Sequence, residues 1–409
     1  MRHQAVRARL YPTTEQQAVL AQHFGCSRWW WNYALNLCIE TYKATGKGLN
    51  RAALNAYLPQ LKRAEETGWL SECYSQVLQA TTVNLVTAYK NFFDGRAKYP
   101  KFKAKKNRQS IQYPQSVKVV DGYLKFPGRL GTVKARFHQP MPVVGKIKTV
   151  TVSMTPSGKY YASVLIELEG DNPVPSTDGK VAGVDLGLKD FAIVHDGIKT
   201  SKYPNPKHLA KHERNLKRKQ QKQQRKQKGS KSREKARKRV ARVHERIGNA
   251  SLDYLHKLSR KLVDDNQVIV VESLNTLGMV RNPKLAKAIS DVEWGTFVNL
   301  LSYKLEKEGK VLVEIDRWFP SSKLCSNCHF QIGEMPLEIR SWTCPNCKTH
   351  HDRDENAAQN IRAEGIRILS VSGTGTAADG GEVRPKSGRK SRLRHSPAKS
   401  ETPRSIPRA

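Results

Sequence analysis

The stretch "KVAGVDLGLKDFAIVHDG", residues 180–197, holds two short apolar runs joined by a break. It reads as a strand and hairpin, apolar enough to lie inside a sheet covered on both faces. One charge interrupts the first run, Asp185. A carboxylate there is costly unless it faces a cleft or meets a cation. Gly183 and Gly187 flank it and are expected to leave room for a bulky ligand. Moving toward the C-terminus, a long basic helical stretch leads to the apolar strand "QVIVVESL" (267–274). An amphipathic helix around "WGTFVNLLSYKLEKEG" (294–309), the strand "KVLVEID" (310–316), a cysteine-bearing segment and the helix "DENAAQNIRAEGIRIL" (354–369) follow. Strands alternating with helices predict an α/β sheet domain.

Moving the other way, "GDNPVPSTDG" (170–179) is a Pro- and Gly-rich linker and the expected domain boundary. Residues 116–170 are rich in Val, Ile, Thr and Tyr, with turns at Asp121-Gly122 and Pro156-Ser157-Gly158, and predict a small antiparallel barrel or sheet. At the N-terminus, "AVRARLYPTTEQQAVLAQHFG" alternates basic and apolar residues up to Leu10, which predicts a strand. Pro12 breaks it, and Thr13 or Thr14 with Glu15 supplies helix-start chemistry. From Thr14 to Phe93 the pattern is helical, with breaks at Gly46-Lys47-Gly48 and near Thr67-Gly68, a lobe of roughly three or four helices. Between lobe and sheet, "DGRAKYPKFKAKKNRQSIQYP" (94–114) interleaves Lys and Arg with Tyr99, Phe102 and Tyr113. Two arrangements are open: rings stacked on bases beside paired phosphates, or rings tucked under a basic loop.

The 409 residues carry 72 Lys plus Arg against 36 Asp plus Glu, a net charge of +36. An excess on that scale attracts nucleic acid or anionic membrane. No apolar run approaches the ~20 residues of a spanning helix, and "MRHQAVRARLYP" lacks the apolar core of a signal peptide. Nucleic acid in the cytoplasm, at the nucleoid, is therefore the expected setting. A hydrophobic fraction of 38% and this length support two or three folded domains. Residues 207–246 hold 18 Lys or Arg against three acids. They predict a helical hairpin, either merely solvated or, as the self-repulsion favours, resting on a phosphate backbone. The tail from Ser370 to Ala409 has few apolar residues and is expected to be disordered, its cations adding sequence-independent contacts.

Of seven cysteines, Cys26, Cys38 and Cys73 are scattered in apolar, helix-like sequence and are expected as reduced core thiols. Cys325, Cys328, Cys344 and Cys347 form two Cys-x-x-Cys pairs separated by fifteen residues, the spacing of a zinc ribbon. Disulfides are the alternative, disfavoured without a secretory signal. Four thiolates complete a tetrahedral Zn2+ site with no open position, so this zinc is structural. It does not explain the acids that follow in "THHDRDENAAQNIR" (349–362), namely Asp352, Asp354 and Glu355. Glu272 ends a very apolar strand, where ligands collect in open α/β sheets, and Asp354 opens a helix. With Asp185 they give three carboxylates on separate elements. Converging at a sheet edge, they have the oxygen chemistry of Mg2+ and leave positions for water and phosphate. Two such ions can activate a water and stabilise the leaving oxygen of a phosphodiester. Singly, each acid has a plainer role: Asp185 as a hairpin cap, Glu272 as partner of a Lys, Asp354 as a helix N-cap.

In this order, "GVDLG" (183–187), "VESL" (271–274), "RWFPSSKLCSNC" (317–328), "CPNC" (344–347) and "HDRDENAAQNI" (351–361) resemble TnpB, the RNA-guided nuclease of bacterial insertion sequences related to type V CRISPR effectors. "LYPTTEQ" (10–16), "YKNFF" (89–93) and "KYPKFK" (98–103) add to the resemblance, which runs from about residue 5 to 365. It implies a wedge β-barrel from residues 1–13 and 100–172, with a helical recognition lobe at 14–99 inserted after its first strand. An RNase H-like RuvC nuclease domain follows at 173–320 and 348–368, carrying an inserted zinc ribbon at 321–347 that binds target nucleic acid, and a basic tail at 369–409. The family's catalytic, Mg2+-binding acids fall on Asp185, Glu272 and Asp354, with Asp352 the fallback for the third. None is substituted, unlike in nuclease-dead repressors derived from this family. The implied activity uses a guide RNA from the element's right end, one protein per RNA, to cut both strands of target DNA beside a short motif. The basic surface would hold the RNA–DNA heteroduplex by its backbone while base pairing supplies sequence choice. Gln79 is a candidate reader of the adjacent motif. A non-cutting RNA-guided regulator and a transposase joining element ends with the same carboxylates are the alternatives.

Overall fold

Alternation shapes the first strand, β1 (Arg2–Tyr11), whose Val6, Ala8 and Leu10 are buried while Arg7 is exposed. Helix α1 (Thr14–Thr45) starts where the Thr13 hydroxyl accepts the Gln16 backbone N–H and the Gln16 side-chain oxygen accepts the Thr13 backbone N–H, and it ends at Gly46 with φ 67°. After α2 (Arg51–Arg63), a 3-10 turn (Glu65–Glu72) and α3 (Ser75–Phe93), the chain returns to the sheet. There it adds β2 (Gln109–Tyr113), β3 (Lys118–Val120), β4 (Tyr123–Lys125), β5 (Thr132–Phe137), β6 (Lys146–Met154) and β7 (Tyr160–Leu168). These seven strands form an antiparallel half-barrel in the order β2-β6-β7-β1-β5-β4-β3. The helices thus enter after the first strand, but they share the sheet's core rather than building their own. Leu20, Phe24 and Trp30 of α1 and Leu78 and Leu85 of α3 pack into one cluster with Leu10, Tyr113, Val152 and Val164.

β2 falls inside the basic segment whose composition suggests a loop, and the two readings of its rings divide. Tyr113 is fully buried, its hydroxyl 3.0 Å from His23 Nδ1, whereas Tyr99 and Phe102 are exposed. Cys26, Cys38 and Cys73 are buried free thiols.

The computed structural model describes residues 1–106, 108–142, 145–283, 286–336 and 338–373; most of the tail expected to be disordered, 374–409, lies outside them. Met1–Ile366 cluster as one unit, and Arg367–Ala409 as a second of which only the end of the last helix is described.

Beyond the irregular linker come β8 (Val181–Asp185), β9 (Asp190–His195), β10 (Thr200–Pro204), β11 (Val268–Glu272) and β12 (Val311–Ile315), in the order β10-β9-β8-β11-β12. β9 runs antiparallel to both β10 and β8, and β11 and β12 extend the sheet in parallel from β8, the RNase H-like arrangement. The basic hairpin α4 (His208–Gln224) and α5 (Lys231–Asp265) links β10 to β11. Then α6 (Thr276–Met279), α7 (Ala286–Val292) and α8 (Trp294–Lys307) link β11 to β12. Ala182, Val184, Ile269 and Val271 point from the sheet into a core with Leu258 and Leu262 of α5 and Phe297 and Leu301 of α8. Because side chains alternate along a strand, Gly183, Asp185, Val270 and Glu272 face the other way. That face receives α9 (Arg353–Gly373), reached through the two-stranded ribbon β13 (Ser341–Thr343) and β14 (His350–Asp352).

Gly183 has a different purpose from the one expected. A Cβ there would collide with the Ala358 carbonyl and stand 2.6 Å from the Arg362 amide, so this glycine admits α9, not a ligand. Gly187 is likewise part of a tight hairpin: a Cβ would meet the Asp190 carbonyl at 2.8 Å. On the helix side, a Cβ at Gly365 would strike Val270. The close approach of helix to sheet is written into small residues on both partners.

Candidate metal centres

Asp185 ends β8 and Glu272 ends β11. Val270 is the register partner of Gly183, and each acid lies two residues farther on, so both leave the α9 face at the carboxyl ends of neighbouring parallel strands. Asp354 is the second residue of α9. Asp185 feels the charges of the other two. Burial first, then the carboxylates of Asp354 and Glu272, push the Asp185 carboxyl up to about 7, and burial raises Glu272 as well. Arg353 tempers the effect on Asp185, and Arg340 of the ribbon approaches Asp354 at 3.7 Å. Crowded, partly desolvated carboxylates of this kind are the hard oxygen donors that suit Mg2+. The three do not all lie within 4.8 Å of one another; among the described residues, the four ribbon cysteines alone make such a group.

The other acids after the cysteines are neutralised locally. Asp352 caps α9, accepting the backbone N–H groups of Asp354 at 3.0 Å and Glu355 at 3.1 Å. The capping role considered for Asp354 is therefore taken by its neighbour. Lys202 of β10 bonds Asp352 at 2.9 Å and Glu355 at 2.8 Å. Burial pushes the Asp352 carboxyl up, but Lys202 and the helix N–H groups outweigh it and hold it below the usual range. Lys202 is raised in turn by its two carboxylates.

Several residues of the same motif matter in ways its sequence does not advertise. The buried Arg353 donates to the carbonyls of Pro336 at 2.8 Å and Ile339 at 3.3 Å. Asn356 donates to the Leu324 carbonyl at 2.7 Å and accepts from the Ser326 amide at 3.0 Å. Asn360, one turn later, donates to the carbonyls of Ser321 and Leu324 at 2.8 and 2.6 Å. Both asparagines are buried, with Ala357, Ala358 and Ile361 beside them. One side of α9 thus clamps the loop leading into the ribbon while its small residues seat on the sheet. The only hint in the sequence is two Asn at helical spacing around a pair of Ala.

The four cysteine sulfurs lie within 4.8 Å of one another, with Cys325–Cys347 and Cys328–Cys344 both 3.6 Å apart. Ligands about 2.3 Å from a tetrahedral zinc stand about 3.8 Å apart, so the cluster fits structural Zn2+. His329 and Lys348, each following the second cysteine of a pair, adopt the same left-handed turn, with φ 60° and 62°. Hydrogen bonds from Thr349 pull the Cys347 thiol down to about 5, favouring the thiolate that zinc binds.

The α4–α5 hairpin closes on Leu216, Val240, Val243 and Ile247. The three acids at 207–246 are all engaged: Glu213 with Lys287, Glu234 with Arg237 and Glu245 with Lys159. Of the 18 cations at 207–246, only Arg237 has an ion-pair partner among the described residues. Gln79 is exposed on α3. Among the described residues no helix is long and apolar enough to cross a membrane.

Three family models match the chain. One described as "Probable transposase", OrfB of IS605, covers residues 163–283; a "Cas12f1-like, TNB domain" covers 294–361; a "Helix-turn-helix domain" covers 1–47. In this structure the last region is β1 followed by the single long helix α1. A Streptomyces pristinaespiralis protein named "Putative RNA-guided DNA endonuclease" is 39% identical over 91% of this chain and 91% of its own length. An Escherichia coli K12 protein, "Putative RNA-guided DNA endonuclease InsQ", is 31% identical over 90% of this chain and 94% of its own. The fold is similar to that in "Cryo-EM structure of the Cas12f1-sgRNA-target DNA complex", with TM-score 0.53 at 12% identity over 88% of this chain and 98% of that one. Near-full-length identity at this level means that the chain belongs to the TnpB family, the OrfB proteins of IS605-type elements.

Proposed function

We propose that the protein is an RNA-guided DNA endonuclease, which takes a guide RNA derived from its element and hydrolyses both strands of target DNA beside a short motif. The observation that supports this reading is that Asp185 and Glu272 end neighbouring parallel strands of an RNase H-like sheet, and that the Asp185 carboxyl feels the charges of both Asp354 and Glu272. The names of the relatives from Streptomyces pristinaespiralis and Escherichia coli agree with it.

Asp185 and Glu272, fixed on adjacent strand ends, and Asp354, fixed by the capped start of α9, are the residues that would hold Mg2+. When bound, two such ions would polarise the scissile phosphate and make water a better nucleophile. The chain's own part is to bring the three carboxylates near one another at the sheet edge, with no lysine partner for them among the described residues. Arg340, beside Asp354, is a cation within reach of a phosphate held at the site. Trp318 is 79% exposed, with Arg317 over its ring at 4.8 Å, three residues past Ile315, the register partner of Glu272. It offers a base-stacking surface next to the site.

In this reading residues 1–13 and 100–172 form the wedge, 14–99 the recognition lobe, 173–320 and 348–368 the nuclease domain, and 321–347 the ribbon that touches target nucleic acid. The unpaired cations of α4 and α5 hold phosphate backbone, one protein to each guide, and Gln79 faces the duplex beside the motif. Sequencing the RNA that co-purifies with the protein, then supplying matched double-stranded DNA and Mg2+, tests the whole. A uniform guide-like RNA and cutting at one position are expected. Random cellular RNA, or a uniform RNA with no cutting, would overturn the nuclease reading, and the second result would favour a regulator.

A further inference from the structure

His351 lies outside the four-cysteine ligand set yet reaches it. Its Nε2 is 3.1 Å from the sulfur of Cys325, and both residues are buried. A zinc-bound thiolate carries no proton, so the bond between them must be an N–H donated by the imidazole. The ring is held for that purpose. His351 of β14 pairs in register with Trp342 of β13, and the two rings lie 4.7 Å apart. The other polar side chains on the sulfurs are more exposed: the Thr349 hydroxyl on Cys347 at 3.2 Å and the Asn346 amide on Cys328 at 3.5 Å. Cys325 is also where the ribbon joins α9, since Asn356 and Asn360 grip the carbonyl just before it. His351 is followed directly by Asp352, the cap of α9, and the Arg353 amide donates to the Arg340 carbonyl at 2.8 Å.

We propose that His351 is a positioning residue: its N–H bond to the Cys325 thiolate ties zinc loading of the ribbon to the order of the first turn of α9, and so to the placement of Asp354. Outer donors of this kind set both ligand orientation and metal affinity. That Asp354 is catalytic rests on the function proposed above, but none of the readouts below uses cleavage.

Two variants separate the donor from the ring. His351→Phe keeps an aromatic ring against Trp342 and loses the N–H; His351→Gln keeps an N–H donor of similar reach and loses the ring. The RNA-bound protein is titrated with a chromophoric zinc chelator, and the Co2+-substituted protein is measured for its thiolate-to-metal charge-transfer band. Hydrogen exchange is followed in the peptide 349–362. His351→Phe should bind zinc about 10- to 100-fold more weakly, shift the band, and exchange faster in the first turn of α9 when zinc is limiting. His351→Gln should stay near the parent protein. Equal zinc affinity and an unmoved band in His351→Phe would overturn the proposal. So would equal losses in both variants, which would assign the effect to ring shape, or unchanged exchange in α9 after zinc is withdrawn.

Discussion

Asp185, the proposed Mg2+ ligand, has an availability that depends on pH. Its carboxyl, ordinarily acidic, is held up near 7 by burial and by Asp354 and Glu272, so below that pH it is mostly protonated and a poor partner for a cation. Ionisation is completed above it. With Mg2+ limiting, the cleavage rate should therefore rise by about tenfold between roughly pH 6 and 8, and added Mg2+ should move the rise to lower pH. A rate that is flat across this window at limiting Mg2+ would mean that Asp185 is not a ligand. The residue is conspicuous in the sequence because a charge inside "VAGVDLG" has few harmless explanations. His351 and Asn360 are not, because a His and an Asn in a polar motif are unremarkable until their partners, 26 and 36 residues away, are seen.

Elements are legible in proportion to how local their cause is. The runs of β8, β11 and β12, the capped start of α1 and the basic α4–α5 hairpin follow from patterns within each segment. β2 is hidden because "QSIQY" buries only Ile111 and Tyr113 and leaves a polar edge that looks like the loop around it. The purpose of Gly183 is not readable locally, because it lies in a meeting of residues 183 and 358 that no short pattern encodes. Gly183→Ala puts a methyl group against the Ala358 carbonyl and the Arg362 amide. It should cost about 1–3 kcal/mol of stability and reduce cleavage sharply, since the helix it displaces carries Asp354. Gly248→Ala, within α5 with nothing inside 4 Å of the new Cβ, should be neutral or slightly stabilising. Thermal unfolding and cleavage of the two variants check this. Equal behaviour would mean that α9 does not need its close seat on β8.

Across the whole molecule, a charge of +36 sets the partner while a handful of acids sets the chemistry. Because the three acids at 207–246 are already paired, in the proposed reading the cations of that stretch are left for phosphates. Guide RNA affinity should fall steeply with salt. Replacing the exposed Lys217, Arg218, Lys222 and Arg225 by Ala should lower the log–log salt slope by about one for each phosphate no longer neutralised, measured by filter binding from low to high salt. An unchanged slope would place the RNA elsewhere. The acids themselves are tested most directly by locating a cation. Anomalous scattering from Mn2+ soaked into crystals of the protein bound to its RNA should give a peak in contact with Asp185, Glu272 and Asp354, absent in Asp185→Ala. Three carboxylates turned apart in that crystal, with no peak between them, would contradict the shared site on which the nuclease reading depends.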